Sequence, residues 1–105
     1  MARERIGTFN SITEIKIDGM HHMKFLASDI RGKTVMTDEG LMLGRLRNVT
    51  VEERTGELTS VLIEPAEDVD PRLFRRDARG FLSFPFENVR SVRDVIVVST
   101  VNALH

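Results

Sequence analysis

The chain has 105 residues, of which 41% are hydrophobic and 30% are charged. This length suits one globular domain and excludes a multidomain enzyme, while the composition excludes a disordered or membrane-embedded chain. Cys is absent, which excludes disulfides and thiolate chemistry, and 15 basic against 16 acidic side chains leave a net charge of −1, too small to attract nucleic acid to the whole surface.

Residues 1–22 are predicted to form an N-terminal extension ahead of a domain that spans residues 23–105. Ile15 and Ile17 alternate around Lys16, which suits one short strand. The scarcity of apolar anchors is equally typical of a flexible arm. Both interpretations of the extension remain open at this point.

From Met23 onward, short aliphatic runs separated by turn residues predict a small β protein. Strands are expected at 33–37, 44–52 and 57–64, and a hairpin turn at 53–56 joins the second strand to the third.

The middle one of these strands has an interrupted alternation. Leu46 has the opposite parity from Val49 and Val51, so the three cannot share one face of a regular strand. We predict a β-bulge near Arg47 and Asn48, because one extra residue there would bring all three aliphatic side chains to the core.

Pro65 ends the third strand and begins a highly charged segment, residues 64–80, called here the charged excursion. Its first part is acidic and its second part is rich in arginine. Asp70 and Pro71 supply a helix N-cap and first position, and Gly80 supplies a C-terminal stop. One short helix is therefore predicted over 71–79.

The last third of the chain returns to β-structure. Residues 81–85 predict a strand that Pro85 confines to a sheet edge or a strand end. A helical turn is expected over 87–92, and a further strand over 95–100.

The order of these elements resembles the PRC-barrel family over about residues 24–100. The resemblance is carried by Gly40 and Gly44 around the first turn and by several short segments. These are Ser28-Asp29-Ile30-Arg31-Gly32-Lys33, Val49-Thr50-Val51, Thr55-Gly56-Glu57-Leu58, Phe84-Pro85-Phe86-Glu87-Asn88-Val89 and Asp94-Val95-Ile96-Val97. One departure is Asn48, where many family members carry Asp.

The resemblance implies an all-β fold, a small six-stranded and partly open barrel, here with one short helix in the charged excursion. The family often dimerises and has no catalytic residues as a class, so we expect no enzyme activity and no cofactor. Stand-alone barrels of this size are similar to archaeal cell-division adaptors. Those adaptors pair with one another and with SepF, which anchors the FtsZ ring to the membrane.

An alternative from the same family is an RNA-associated barrel resembling the C-terminal domain of a ribosome maturation factor. That factor joins its barrel to a separate N-terminal domain, and 22 residues cannot replace a domain. A protein partner is therefore favoured over nucleic acid.

The second half of the charged excursion is the candidate partner-binding surface. Its arginines recur at spacings of three and four, which would place them near one face of a helix. The alternative is a solvated helix whose arginines pair with Glu67, Asp68 and Asp70. The candidate residues are Arg72, Leu73, Phe74, Arg75, Arg76 and Arg79.

Phe81, Phe84 and Phe86 are the candidate homodimer interface. An unpaired edge strand carrying aromatic side chains invites association with a second copy. The alternative is that all three rings are buried, because aromatic residues dominate small cores.

No metal site or catalytic site is expected. His21 and His22 are adjacent rather than four residues apart, and no carboxylate nearby completes a ligand set. The neighbouring carboxylates of Glu52 and Glu53 suit an exposed hairpin tip, where nothing separates their pKa values for acid–base catalysis.

The sequence also predicts where the protein resides. The longest apolar run, Val95 to Val98, is far shorter than the roughly 20 residues of a membrane helix, and the charged N-terminus does not resemble a signal peptide. We expect a cytoplasmic protein without direct membrane insertion.

Overall fold

This computed structural model of the chain describes residues 4–7, 12–17, 21–26, 30–55 and 57–101. Within those ranges the chain forms nine strands and two single-turn 3-10 helices. The strands are β1 (Glu4–Gly7), β2 (Ile12–Ile17), β3 (His21–Leu26), β4 (Thr34–Thr37), β5 (Met42–Glu52), β6 (Leu58–Pro65), β7 (Leu82–Pro85), β8 (Val89–Val92) and β9 (Ile96–Val98), and the 3-10 helices are η1 (Pro71–Leu73) and η2 (Phe86–Asn88).

Six of the described strands form one continuous order, β7-β6-β5-β4-β9-β8. Neighbours are antiparallel except β4 and β9, which are parallel. The predicted all-β fold with a six-stranded, partly open barrel is confirmed.

The long strand β5 has β6 along one edge and two partners along the other. Its first part pairs with β4, and its last part, Val49 to Glu52, pairs with β1. Of the two interpretations of residues 1–22, a strand is present where Ile15 and Ile17 alternate. This strand, β2, pairs with β3 in a separate two-stranded sheet. The division of the chain after residue 22 stays a prediction.

The two end strands of the six-stranded order, β7 and β8, are consecutive in sequence and are joined by η2. Asn88 of η2 is buried, and its side-chain amide donates to the carbonyls of Ser99 and Val101 at 2.8 and 2.7 Å. The Asn88 carbonyl accepts the Ser99 N–H at 2.8 Å. These hydrogen bonds tie the corner between β7 and β8 to the end of β9.

The predicted bulge in β5 is present. Leu46 pairs with Ile63 and Asn48 pairs with Leu62, so Arg47 is the extra residue between them. Leu46 and Val49 both lie in the central core as a result. Val51 is buried as well, but it lies outside that cluster, beyond a second register shift after Thr50.

The core fills the inside of the barrel with aliphatic side chains and two phenylalanines. Inward-facing Val61 and Ile63 of β6 alternate with Leu62, which faces outward. The described core members are Ile30, Val35, Leu43, Leu46, Val49, Val61, Ile63, Val69, Phe74, Leu82, Phe84, Val89, Val92, Ile96 and Val98.

The helix predicted over 71–79 begins where expected but ends much sooner. Asp70 caps η1 by accepting the Arg72 N–H at 3.0 Å, and Pro71 occupies its first position. The helix is a 3-10 turn that stops at Leu73, and Phe74 is already extended. A nine-residue helix is marginal on its own, so burial of Phe74 and pairing of the following residues with β7 determine the structure.

The helical turn predicted over 87–92 is wrong in its second half. Only Phe86–Asn88 is helical, and Val89–Val92 is strand β8. Val89 and Val92 are both buried because β8 has a register shift opposite β9 between Val89 and Ser91. That irregularity turns the two-residue period of a strand into a three-residue spacing that resembles a helix.

Candidate functional site

The charged excursion is anchored to the barrel along its length. The Ala66 N–H donates to the Leu43 carbonyl at 2.9 Å, just after β6 ends. Val69 and then Phe74 are buried in the core. The exposed side chains between and after these anchors are therefore presented from a fixed backbone.

Arg72 forms an ion pair with Asp70 within the excursion. Its guanidinium donates from Nε to Oδ1 at 3.0 Å and from Nη2 to Oδ2 at 3.1 Å. This side-chain hydrogen bonding, followed by the backbone N–H of Arg72, holds the pKa of the Asp70 carboxyl below its ordinary value, and Asp70 raises the pKa of Arg72. Arg72 is still 81% exposed, so the pair lies at the surface.

Arg75, Arg76 and Arg79 are exposed and do not share a helix face, since η1 ends before them. Across the described residues, none of the three lies within ion-pair distance of a carboxylate. The predicted pairing of the arginine row with Glu67, Asp68 and Asp70 is therefore present only for Arg72 and Asp70. The remaining guanidiniums are available to solvent.

The two apolar residues among these arginines have opposite placements. Phe74 is only 3% exposed, and its ring lies 5.8 Å from that of Phe84, centroid to centroid, inside the barrel. Leu73 is 59% exposed. Leu73 can therefore contact a partner, whereas Phe74 supports the excursion from below.

The outer edge of β7 is covered by the excursion. The Ser83 N–H donates to the Arg75 carbonyl at 2.8 Å, and the Asp77 N–H donates to the Phe81 carbonyl at 2.9 Å. Arg76 and Leu82 form an antiparallel bridge between these bonds. The free edge on which the dimer prediction relied is thus paired within the chain itself.

The three candidate dimer residues are buried to different degrees. Phe84 is fully buried in the core, and Phe86 is partly buried against it. Phe81 is partly buried on the outer face, where the Arg47 guanidinium carbon lies 5.9 Å from its ring centroid. Phe84 is thus a core residue, and Phe81 and Phe86 retain partial access to a second copy.

A pocket of about 210 Å³ opens on the outer face of the barrel beside the excursion. It brings together residues from the loop before β4, from β5, from β6 and from the turn before β7. Its lining residues are Arg31, Arg47, Asn48, Leu62, Arg79 and Phe81, and this set is called here the arginine pocket.

Comparison with known proteins agrees with this architecture. The PRC-barrel domain matches residues 23–105 of the chain. The chain belongs to the PRC-barrel family. It is also 27% identical over 70 residues to an uncharacterized protein of Methanocaldococcus jannaschii, a match that covers 67% of this chain and 75% of the archaeal protein.

In this PRC-barrel chain, sequence reasoning identified Arg79 and Phe81 of the arginine pocket and missed its other members as site residues. Arg31 and Arg47 are distant from the arginine row in sequence, so only the sheet brings them near Arg79. The interrupted alternation of β5 was the available signal, since it predicts that Arg47 bulges outward. Asn48, the departure from the common Asp, accepts the Val49 N–H on its side-chain oxygen at 2.9 Å.

The neighbouring carboxylates noted in the sequence of this PRC-barrel chain lie where β5 ends. Glu52 accepts the Thr55 N–H at 2.7 Å and shapes the hairpin tip, beside the exposed Glu53. Among the described residues, no group of three or more His, Asp or Glu side chains could hold a metal ion. The same residues contain no helix long and apolar enough to cross a bilayer. The side chains of His21 and His22 lie outside the description.

Proposed function

We propose that this PRC-barrel protein is a cytoplasmic, non-enzymatic protein-interaction adaptor that acts as a homodimer in archaeal cell division. Its partner in this proposal is SepF or a second PRC-barrel protein. The proposal is supported by the family membership over residues 23–105 and by the similarity over 70 residues to a protein of Methanocaldococcus jannaschii.

The observation that carries the proposal is the outer face of the charged excursion. Arg75, Arg76 and Arg79 are exposed without a carboxylate at ion-pair distance among the described residues, and Leu73 beside them is exposed as well. Exposed guanidiniums next to an apolar side chain suit a protein partner, because arginine pairs with carboxylates in a planar, bidentate geometry. The backbone of this surface is held by β7 and the core, which reduces the entropy lost on docking.

An RNA-associated barrel is the competing function. Single-stranded RNA is usually held by aromatic rings that stack on bases as well as by cations. Within the row from Arg72 to Arg79 the aromatic residue is Phe74, which is buried against Phe84 and cannot stack on a base. Phe81, just beyond the row, is only partly accessible and has the Arg47 guanidinium 5.9 Å from its ring centroid. The surface therefore favours a protein partner.

A capture experiment with defined partners tests the adaptor function. The full chain is immobilised and presented separately with purified SepF and with each other PRC-barrel protein encoded in the same genome. The matched control is the variant Arg75→Glu/Arg76→Glu, which reverses the charge of the proposed surface without touching the core. We expect at least one of these proteins to bind the native chain and to bind the variant at least about tenfold more weakly.

Two outcomes would contradict the proposal. The first is that neither SepF nor a second barrel binds. The second is that structured RNA binds in a salt-dependent manner while the proteins do not. Equal binding to the native chain and to the variant would leave an adaptor but would reject this surface.

A further inference from the structure

The arginine pocket exists because of the bulge in β5. Arg47 is the extra residue opposite the Leu62–Ile63 step of β6, so its side chain leaves the regular alternation and lies exposed on the outer face. Bulges redirect side chains in this way and are frequent beside functional sites. The bulge places the Arg47 guanidinium 5.9 Å from the centroid of the Phe81 ring, within the range of a cation–π contact.

The pocket has an apolar floor and one aromatic wall. Leu62 faces outward from β6, opposite to the core-facing Val61 and Ile63, and yet it is only 1% exposed. Phe81 lies beside it at the start of β7, with part of its surface accessible. An apolar group placed against the accessible part of Phe81 would remove water from that ring and from itself, which favours its binding.

The turn before β7 holds the second guanidinium. The Asp77 carboxylate accepts the N–H groups of Arg79 and Phe81 at 3.0 and 2.9 Å, and the Gly80 N–H donates to the Asp77 carbonyl at 3.1 Å. These bonds fix the backbone from which Arg79 and Phe81 extend. Arg79 therefore reaches the pocket from a constrained turn.

The loop before β4 brings the third guanidinium. The Gly32 N–H donates to the Leu46 carbonyl at 2.8 Å, and the Leu46 N–H donates to the Lys33 carbonyl at 2.9 Å. The loop is thus bonded to β5 immediately before the bulge. These bonds hold the loop that carries Arg31 beside the pocket.

The charge of the pocket is one-sided. The described residues that line it include three arginines and none that is acidic. Neither Arg47 nor Arg79 has a carboxylate within ion-pair distance in the described part of the chain. The Arg47 and Arg79 guanidiniums repel each other, and an anion between them would relieve that repulsion while making charge-assisted hydrogen bonds.

The size of the pocket limits the ligand. Its volume of about 210 Å³ is below the range of roughly 300–1,000 Å³ that is usual for cofactor and small-molecule sites. It suits one or two side chains. A carboxylate beside an apolar side chain matches both the arginines and the accessible part of the Phe81 ring.

We propose that the arginine pocket binds an acidic peptide segment of a partner protein, with a carboxylate between Arg47 and Arg79 and the neighbouring apolar side chain against Phe81. This inference rests on the proposed adaptor function, because it takes the ligand to be a protein. It adds to that function the kind of segment that the partner presents, a carboxylate next to an apolar side chain.

Three peptides with blocked ends test the charge and the apolar requirement separately. The first is Gly-Glu-Leu-Glu-Gly, the second replaces both Glu by Gln, and the third replaces Leu by Gly. Binding is followed by chemical-shift changes of the backbone amides in a ¹⁵N-labelled full chain. We expect the first peptide to shift the amides of Arg47, Asn48, Arg79 and Phe81 at concentrations up to about 5 mM, and the other two to bind at least about fivefold more weakly.

Variants then connect the binding to the two central arginines. Arg47→Gln and Arg79→Gln each remove one guanidinium while keeping a polar side chain of similar length. The matched control is Arg93→Gln, an exposed arginine in the turn between β8 and β9. We expect about a fivefold to tenfold loss of affinity in each pocket variant and no change in the control. Amide shifts outside the pocket verify that each variant is folded.

The proposal is overturned if the Gln peptide binds as well as the Glu peptide, or if no amide of the pocket shifts. It is also overturned if inorganic phosphate or a uridine oligonucleotide binds the pocket more tightly than the Glu peptide does, since the ligand would then be a phosphate rather than a carboxylate. Capture of SepF or of a second barrel by Arg47→Gln at native strength would retain the adaptor and reject the pocket. Binding of the Glu peptide without capture of either protein would retain the pocket and reject the adaptor.

Discussion

At the residue scale, the buried side chain of Asn88, which the sequence did not select for function, joins two parts of the barrel. Its amide nitrogen bridges the carbonyls of Ser99 and Val101 in an environment with little water, since Asn88 is 6% exposed. A buried carbonyl that loses its donor keeps the full cost of desolvation. Asn88 therefore holds the end of β9 against the corner of the barrel.

We expect Asn88→Ala to lower the free energy of unfolding by about 1–3 kcal/mol, because two carbonyls lose their donor. Urea unfolding followed by circular dichroism measures the change. Asn88→Asp is the informative companion, since a carboxylate of the same shape has no N–H to donate. If Asn88→Asp were as stable as the native chain, the bridging role would be wrong.

Asp70 provides a prediction for pH dependence. Its pKa is lowered in the folded state, first by the side-chain hydrogen bond from Arg72 and then by the Arg72 backbone N–H. A lowered pKa stabilises the fold at pH values above the unfolded pKa of Asp70, and that contribution disappears as the pH falls through the folded pKa. The pair is exposed, so the effect on stability is small.

An NMR titration of the Asp70 carboxyl measures this directly. We expect Arg72→Gln to raise the pKa of Asp70 toward its ordinary value, though not completely, because the backbone N–H of residue 72 remains. Arg75→Gln is the control and should leave the Asp70 titration unchanged. An unchanged titration in Arg72→Gln would show that the ion pair does not form in solution.

At the element scale, Gly44 permits the close approach of β5 and β6. It adopts φ +150°, and a Cβ at this position would lie 1.9 Å from the Glu64 carbonyl oxygen and 3.0 Å from the Ala66 nitrogen. Both are backbone atoms, which cannot rotate away. Gly40 also has a positive φ, +91°, but a Cβ there would meet open space.

We expect Gly44→Ala to destabilise the fold by at least about 3 kcal/mol or to prevent folding, because strands must separate to admit the methyl group. Gly40→Ala should cost only about 1–2 kcal/mol, the price of the left-handed conformation. Urea unfolding of the two variants under the same conditions compares them. Equal costs would mean that β5 and β6 do not approach as closely as described.

The elements also show which sequence signals were sufficient. The bulge at Arg47 was predictable because Leu46 and Val49 both demand burial and a regular strand cannot satisfy both. The end of the helix predicted over 71–79 was not predictable. Asp70 and Pro71 do begin a helical turn, but burial of Phe74 against Phe84 in the core stabilises an extended backbone after Leu73. Strand β8 was hidden because its irregularity gives Val89 and Val92 a helix-like spacing.

The candidate site was less predictable than the fold for a related reason. Arg79 and Phe81 were selected from a local cluster of charge and aromatic residues. Arg31 and Arg47 join them through the hydrogen bonds of Gly32 and through the pairing of β5 with β6. Those contacts are long-range, and no local pattern records which distant loop will lie beside a given strand.

At the scale of the whole molecule, self-association depends on what remains exposed. Phe84 is in the core, so the predicted dimer surface is reduced to the accessible parts of Phe81 and Phe86, and Leu73 of the charged excursion is a further exposed apolar side chain. Val101 is about as exposed to solvent as Leu73 is, but it lies after β9. The two residues therefore provide a matched pair for testing the interface.

Light scattering coupled to gel filtration measures the mass of the full chain against the 11.9 kDa of one copy. We expect a dimer, and we expect Leu73→Asp to shift it toward monomer, because a charge buried between two copies loses its hydration. Val101→Asp should remain dimeric. A monomer at high concentration would contradict the dimer, and a dimeric Leu73→Asp would place the interface elsewhere.

The connection through η2 also determines how the barrel can open. The three residues of η2 leave four Cα–Cα steps between Pro85 and Val89, which span at most about 14 Å, roughly three strand spacings, so β7 and β8 cannot separate far at the end where η2 joins them. If the gap between β7 and β8 widens, the two strands must rotate about that corner. The separation is then largest at their opposite ends. Lengthening the chain between Pro85 and Val89 would remove the pivot and let β8 move away from β7, whose outer edge stays paired with the charged excursion.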